Sequence, residues 1–403
     1  MRVYVVEITG KGGMIHYDYQ LCRALQRAGV DTTLVTSTVY ELHHLPHEFK
    51  VADVLRLWDP HGKKSGNKII RFAQRALRGF QAVVGLLHLT LYLRLKKPDV
   101  VLFGAVRWAM ESYFLRLMRV SGLTLADIVH DVQDFDTSKA SQNLVRESQQ
   151  HMKQYNTIYR QFSALFVHSQ SNYDLFLKLY DVPQDKVHLI EHATSELMLE
   201  TPQSSTPDEM RSRLNIAPGQ PVVLFFGTLS KYKGIDELVN AFPAVQKASN
   251  ARLVVAGYPA KDVDADGLKG RAAELGLNVS WMLDYVPNDQ VATLMAISDV
   301  VVYPYRAITQ SGALQVAYAC GKPVVVTRVG GLPDVVEDGK SGLVVPPMDS
   351  DALAKAIIAV VSDPDKARQM GARARELAET RYSWRTVAET MKPVFEQIVR
   401  QRK

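Results

Sequence analysis

Residues 221–238 read PVVLFFGTLSKYKGIDEL. A short β-rich apolar run ends at Gly227, a polar loop carries Lys231 and Lys233, and Gly234 precedes a helix. The same strand–loop–helix unit recurs along the chain. Downstream stand ARLVVAG (251–257), NVSWML (278–283), DVVVYPY (299–305), KPVVVT (322–327) and SGLVVPP (341–347). Upstream stand RVYVVEI (2–8), DTTLVTS (31–37), DVVLFGA (99–105), LADIVHD (125–131), ALFVHS (164–169) and KVHLIEH (186–192). Amphipathic segments such as YDYQLCRALQRAG (17–29) lie between several of them, with a glycine ending the helix. Strands alternating with helices predict parallel sheets joined by right-handed crossovers. Near residue 200 the alternation breaks at TPQSSTPDE (201–209), which reads as a linker. The expected class is therefore α/β, with two tandem doubly wound domains and a ligand cleft between them. Residues 1–197 form the first domain and 198–385 the second, and a C-terminal helix over 386–403 joins the first.

A chain of 403 residues exceeds what one hydrophobic core usually supports, which agrees with two domains. The two cysteines, Cys22 and Cys320, sit in apolar helical patterns and read as buried reduced thiols, not a disulfide framework. MRVYVVEI enters a strand with no signal-like segment before it, so a cytoplasmic protein is expected. Most of the net charge of +6 comes from residues 51–100. Lys63, Lys64, Lys68, Arg71, Arg75 and Arg78 lead into the apolar stretch FQAVVGLLHLTLYLRLKK (80–97). That stretch is shorter than the roughly 20 apolar residues of a membrane span. Two readings stay open: a buried helix with a solvated basic lead-in, or a surface over 63–97 that sits on anionic lipid, peripheral on the cytoplasmic face. No aromatic-rich or arginine-rich reading element accompanies the patch, so nucleic acid is not an expected partner.

Four places carry candidate chemistry. In TGKGGMIHYDY (9–19), Gly10, Gly12 and Gly13 let backbone approach a ligand, and the helix behind offers N–H groups to an anion. Ile15 stands where the dinucleotide fingerprint needs its third glycine, which disfavours an oxidoreductase. His130 and Asp131 end an apolar strand, where cleft-facing side chains emerge. Lys231 and Lys233 lie beside a helix N-terminus and read either as an anion site or as two solvated loop lysines. In ITQSGALQVAYACGKPVVV (308–326), Thr309, Gln310, Ser311 and Gly312 lead into a helix that alone reads as an ordinary N-cap or as a phosphate cradle needing no charged side chain, and with Lys231 and Lys233 converges on a diphosphate. Ser311 is placed to cap that helix. Tyr305, Ala313 and Gln315 flank the same loop, and Thr228 follows the strand-end Gly227. The acids of DADG (264–267) lie in a polar stretch and read as surface residues, so no metal ligands are assigned.

The second half, from FFGTLSKYKGIDEL through AYACGKPVVVTRVGGLPDVVEDGKSGLVVPP to DALAKAI, resembles the retaining glycosyltransferases of the GT-B fold. More narrowly it resembles the large bacterial family of polysaccharide and glycolipid synthesis, in a branch with Ser-Gly at the cradle. The first half is similar more loosely, through the glycine turn, the His-Asp strand end and VHSQSNYDLF (167–176). The resemblance implies two Rossmann-like domains, with a nucleotide diphosphate sugar on the second and a glycan or polyprenyl- or other lipid-linked acceptor on the first. It implies no cofactor and usually no metal. The diphosphate-binding lysine of the family falls on Lys233, the sugar-contacting histidine on His130 and the glycine turn on Gly12 and Gly13. SWRTVAETMKPVFEQIVRQ (383–401) would supply a helix crossing back to the first domain. The chain also departs from the pattern. Thr228 stands where many members have arginine, with Lys231 as the replacement charge, and Ile308 and Val316 stand where many have glutamates. Gln310 and Gln315 are the candidate substitutes. A sugar-nucleotide epimerase or hydrolase of the same fold, or a non-catalytic scaffold in polysaccharide assembly, remain the alternatives.

Overall fold

The computed structural model describes residues 1–55, 68–104, 111–132, 149–194 and 196–402. Lys63 and Lys64, and the side chains of Lys68, Arg71 and Arg75, lie outside the described residues.

The first sheet contains β1 (Arg2–Val6), β2 (Asp31–Ser37), β3 (Lys50–Leu55), β4 (Val100–Phe103), β5 (Leu125–Val129), β6 (Ala164–His168) and β7 (Val187–Ile190). They are parallel, in the order β3-β2-β1-β4-β5-β6-β7. The second contains β8 (Val222–Phe226), β9 (Arg252–Ala256), β10 (Val279–Met282), β11 (Val300–Tyr303), β12 (Val324–Thr327) and β13 (Gly342–Val345). Its order is β10-β9-β8-β11-β12-β13, again parallel. Strands covered on both faces need continuous apolar runs. VVVY of β11 and VVVT of β12 meet that need, and every residue in them is buried.

In β1 the period of two separates the layers. Val3 and Val5 pack with Leu21 and Leu25 of α1 (Gly13–Arg27) and with Trp384 and Phe395 of the C-terminal helix Trp384–Gln401. Tyr4 and Val6 face the other way, with Leu89 and Leu93 of α2 (Lys68–Lys96) and Leu115 of α3 (Glu111–Val120). The C-terminal helix is thus a first-sheet element contributed by the far end of the chain. Ser383 caps it, the Trp384 indole donates to the Thr194 carbonyl (2.7 Å), and the Lys392 ammonium donates to the Ala28 carbonyl (2.9 Å).

The structure adds two local features that the sequence reading lacked. KVADVL forms the edge strand β3, although Lys50 and Asp53 hide its period; edge strands keep such charges because they deter pairing with other chains. TPQSSTPDE is not slack. Thr206 and Glu209 form a capping box on the helix Pro207–Arg213, and the Ser204 N–H donates to the Asp289 carbonyl (2.8 Å). Its Thr206 and Pro207 supply the cap chemistry of that helix.

Strand order reverses beside β1/β4 and beside β8/β11. Crevices open there at the carboxyl ends of the strands. All four candidate segments emerge at these ends or at the end of β5.

Candidate active site

The loops after β8 and β11 are brought together by backbone. Gly234 has φ of +61°, and a Cβ there would sit 2.1 Å from the Pro304 carbonyl oxygen, so only glycine fits. The Arg306 N–H donates to the Tyr232 carbonyl (2.7 Å). Its guanidinium is held by Asp236 (2.5 Å) and Glu237 (3.0 Å), so this cation serves the loop.

Lys233 is the half-buried cation of the group. Its ammonium lies 5.6 Å from the Tyr305 ring and 5.8 Å from the Tyr232 ring. A Cβ on Gly227 would lie 3.5 Å from Lys233 Nζ and 3.6 Å from Ala313 Cβ, so strand end, lysine and helix start meet at one point. Burial pulls the Lys233 ammonium down to about 8. The helix Gly312–Ala319 begins there. The Ser311 hydroxyl accepts from the Leu314 N–H (3.2 Å), leaving the Gly312 and Ala313 N–H groups as those its own helix cannot use. No atom lies within 4 Å of where a Gly312 Cβ would be, so the cradle is open above it.

The first-sheet wall is aromatic and rich in imidazole. His130, His168 and His192 follow or end β5, β6 and β7 and gather around Tyr17. Their ring centroids lie 4.7, 5.9 and 5.5 Å from that of Tyr17, whose other neighbour is Trp384 at 4.8 Å. Burial, and then the neighbouring His192 and His130, holds His168 well below the ordinary histidine range, and burial brings His192 down to about 4. Histidines kept neutral in the fold but protonated when unfolded make stability fall as pH drops from the unfolded value near 6.5 towards 4. For His192 the loss is on the order of 2–3 kcal/mol. Melting temperature is therefore expected to decline through that window, with a shallower slope in His192→Gln; a flat profile in the wild type would contradict the assignment.

Thr309 ties the halves together. Its hydroxyl donates to Asp131 Oδ1 (2.7 Å), and its carbonyl accepts from Asn172 Nδ2 (3.0 Å). The Ser171 N–H also donates to Asp334 Oδ2 (2.9 Å). Between the halves lies a cavity of about 510 Å³, lined by Gly12, Gly13, His130 and Gly312 with Glu41 and Tyr285. Residues far apart in sequence therefore share one cleft.

Several candidates serve otherwise than expected. Two N–H groups of the glycine turn already meet carboxylates, while Gly12 and Gly13 line the cleft. Glu7 accepts from Gly10 (2.6 Å) and Glu41 from Gly12 (2.8 Å). Asp131 holds Thr309 across the cleft. Tyr305 is 1% exposed; its ring underlies Lys233 and its hydroxyl meets Ser311 at 3.5 Å, so it supports the site from beneath. Gln315 is also 1% exposed, and neither amide atom has a hydrogen-bond partner among the described residues. Gln310 packs against Gly331, and Thr228 is half-buried after β8. Lys231 is exposed, with its N–H donating to Asp262 (3.1 Å), so it lacks the desolvation of Lys233. Of DADG, Asp264 caps the helix Ala265–Glu274. Among the described residues no group of three His, Cys, Asp or Glu side chains is placed to hold a metal ion. Glu41, Tyr17, His168 and His192 went unnoticed in the sequence.

Residues 11–194 match the family Glycosyltransferase Family 4, and residues 207–377 match Glycosyl transferases group 1. Together the two matches take in every strand of both sheets except β1. The chain belongs to the GT-B glycosyltransferases. The chain is 28% identical over 225 residues to the alpha-maltose-1-phosphate synthase of Mycolicibacterium smegmatis, an alignment covering 53% of this chain and 57% of that one, so it spans little more than half the length of that relative. In fold it is similar to sucrose-phosphate synthase from Thermosynechococcus elongatus (TM-score 0.75, 20% identity, 99% of each chain). It is also similar to Anabaena HepE in complex with UDP and glucose (TM-score 0.70, 19% identity, 98% of this chain and 99% of that one).

Proposed function

We propose that this enzyme moves a sugar from a nucleotide diphosphate sugar to a hydroxyl of a glycan or lipid-linked acceptor, with retained anomeric configuration and without a metal, on the cytoplasmic side. The observation that carries the reading is the desolvated Lys233 ammonium beside the open N-terminus of the helix Gly312–Ala319. A developing diphosphate placed there meets an ammonium, the Gly312 and Ala313 N–H groups and the positive end of a helix, all preorganised. The UDP held by HepE supports the donor class. The carboxylates on the glycine turn favour hydroxyl groups over phosphate on the first-sheet side, which suits an acceptor.

In the reaction the bond from the anomeric carbon to the diphosphate oxygen breaks, and the acceptor oxygen bonds that carbon on the same face. The acceptor proton passes to the departing phosphate oxygen. Lys233 and the helix N–H groups stabilise the negative charge, and His130 orients the sugar. The Thr309–Asp131 contact keeps the cleft closed against water.

The test is a nucleotide-sugar screen by thermal shift, followed by turnover with candidate acceptors and proton NMR of the new anomeric centre. A stabilising donor and a retained anomer are expected. Donor turnover independent of any acceptor would mean an epimerase or hydrolase, and absence of nucleotide binding a scaffold. Because the leaving charge is met by Lys233 and main-chain N–H groups, transfer is expected to persist undiminished in EDTA; loss restored by a divalent ion would refute the metal-free step.

A further inference from the structure

Along one face, α2 is a core helix; along the other, it is bare and apolar. Its 29 residues span about 43 Å. Leu86, Leu89 and Leu93 are buried against the first sheet. The outward face carries Leu77, Phe80, Leu87, Leu91 and Leu95, a stripe at helical spacing in which Phe80 is 65% and Leu95 72% exposed. Neighbouring α3 adds Tyr113 (78%), Leu117 (46%) and Val120 (79%) at i, i+4 and i+7. Exposed Arg94 and Lys96 of α2, Lys97 just beyond it, and Arg116 and Arg119 of α3 flank this surface. No Asp or Glu occurs in α2, and Glu111, the acid of α3, is buried. Contiguous exposed apolar patches of this kind mark interaction sites.

We propose that the α2–α3 face docks onto an anionic lipid bilayer, its apolar stripe at the acyl boundary and its cations among the headgroups. Charge selects the occupant. A second copy of this chain would set one cationic rim against another, whereas anionic lipid complements it. Ala76–Lys96 is long and apolar enough to cross a membrane, but its buried leucines hold it to the sheet, so it lies along the surface. The two open readings of this stretch thus describe its two faces. The docking surface deepens the lipid-linked reading of the acceptor and rests on it for its purpose. Binding is measured without donor or acceptor, so either can fail alone.

Full-length protein is sedimented with phosphatidylcholine vesicles, with and without about one third phosphatidylglycerol. Binding to the anionic vesicles is expected to be at least about tenfold stronger and to weaken with salt. Leu91→Asp/Leu95→Asp and Arg116→Glu/Arg119→Glu are each expected to lose about tenfold or more while keeping the wild-type melting temperature. Binding unchanged in these variants, or no binding to either vesicle, overturns the proposal. So does a wild-type dimer that the leucine substitutions dissolve, which would make a second copy the occupant. A drop of several degrees in melting temperature of the leucine variant also overturns it, because another segment of this chain would then cover the face.

Discussion

Lys233→Met is expected to melt several degrees higher than the wild type while transferring sugar about 10²–10³-fold more slowly. The two effects share one cause. Burial brings the Lys233 ammonium from an ordinary lysine value down to about 8, so below that pH the fold carries an ammonium it would rather deprotonate. The sign follows from linkage. The unfolded chain binds this proton more tightly, so stability rises with pH between about 8 and 10.5, and the full cost is present below 8. With solvent screening allowed for, that cost is on the order of 2–3 kcal/mol, or roughly 5 °C. Methionine keeps the stem over Tyr232 and Tyr305 and removes the charge. Losing one preorganised donor to the leaving group lowers turnover by the factor stated. Thermal shift and initial rates check both, and a variant that is less stable and still active would contradict the site.

Gly312→Asp separates the cradle from the fold in the opposite way. The position has open space for a Cβ, and Gly312 is the first residue of its helix, where a carboxylate is favoured by about 0.3–1 kcal/mol. The melting temperature should therefore hold or rise slightly. The same carboxylate competes for the N–H groups that would hold the diphosphate and repels it, by about 4 kcal/mol at 4 Å in a surface-like dielectric. Donor binding is expected to weaken at least about 100-fold, with Gly312→Ser, which adds no charge, close to wild type. Calorimetric titration with the donor decides it: wild-type affinity in Gly312→Asp would remove the helix N-terminus from the account.

The sequence made the architecture legible because doubly wound sheets write themselves as apolar runs at regular intervals. VVVY and VVVT could hardly be other than buried strands. KVADVL escaped because an edge strand needs only one good partner and keeps its charges. The Ser311 cap and the lysine ahead of Gly234 were readable as local chemistry. What could not be read was convergence. His168 and His192 end runs recognised as strands, yet only the order β5-β6-β7 packs them around Tyr17. Asp131 and Thr309 are 178 residues apart, and nothing near either predicts their hydrogen bond. Glu41 was invisible for the same reason, and it places a carboxylate on the Gly12 N–H of the glycine turn. Tyr305 and Gln315 stand in the right segment, but helix and sheet geometry turn them inward.

The site rests on a diphosphate binding beside a lysine whose ammonium burial has brought down to about 8. Titrating UDP and GDP at pH 8.5, in buffers of different ionisation enthalpy, counts the protons that move on binding. A free Lys233 near 8 that becomes fully charged against a diphosphate should take up about 0.8 proton per nucleotide bound. The uptake should vanish in Lys233→Met. Tight binding with no proton uptake in the wild type, or with the same uptake in Lys233→Met, would contradict the account.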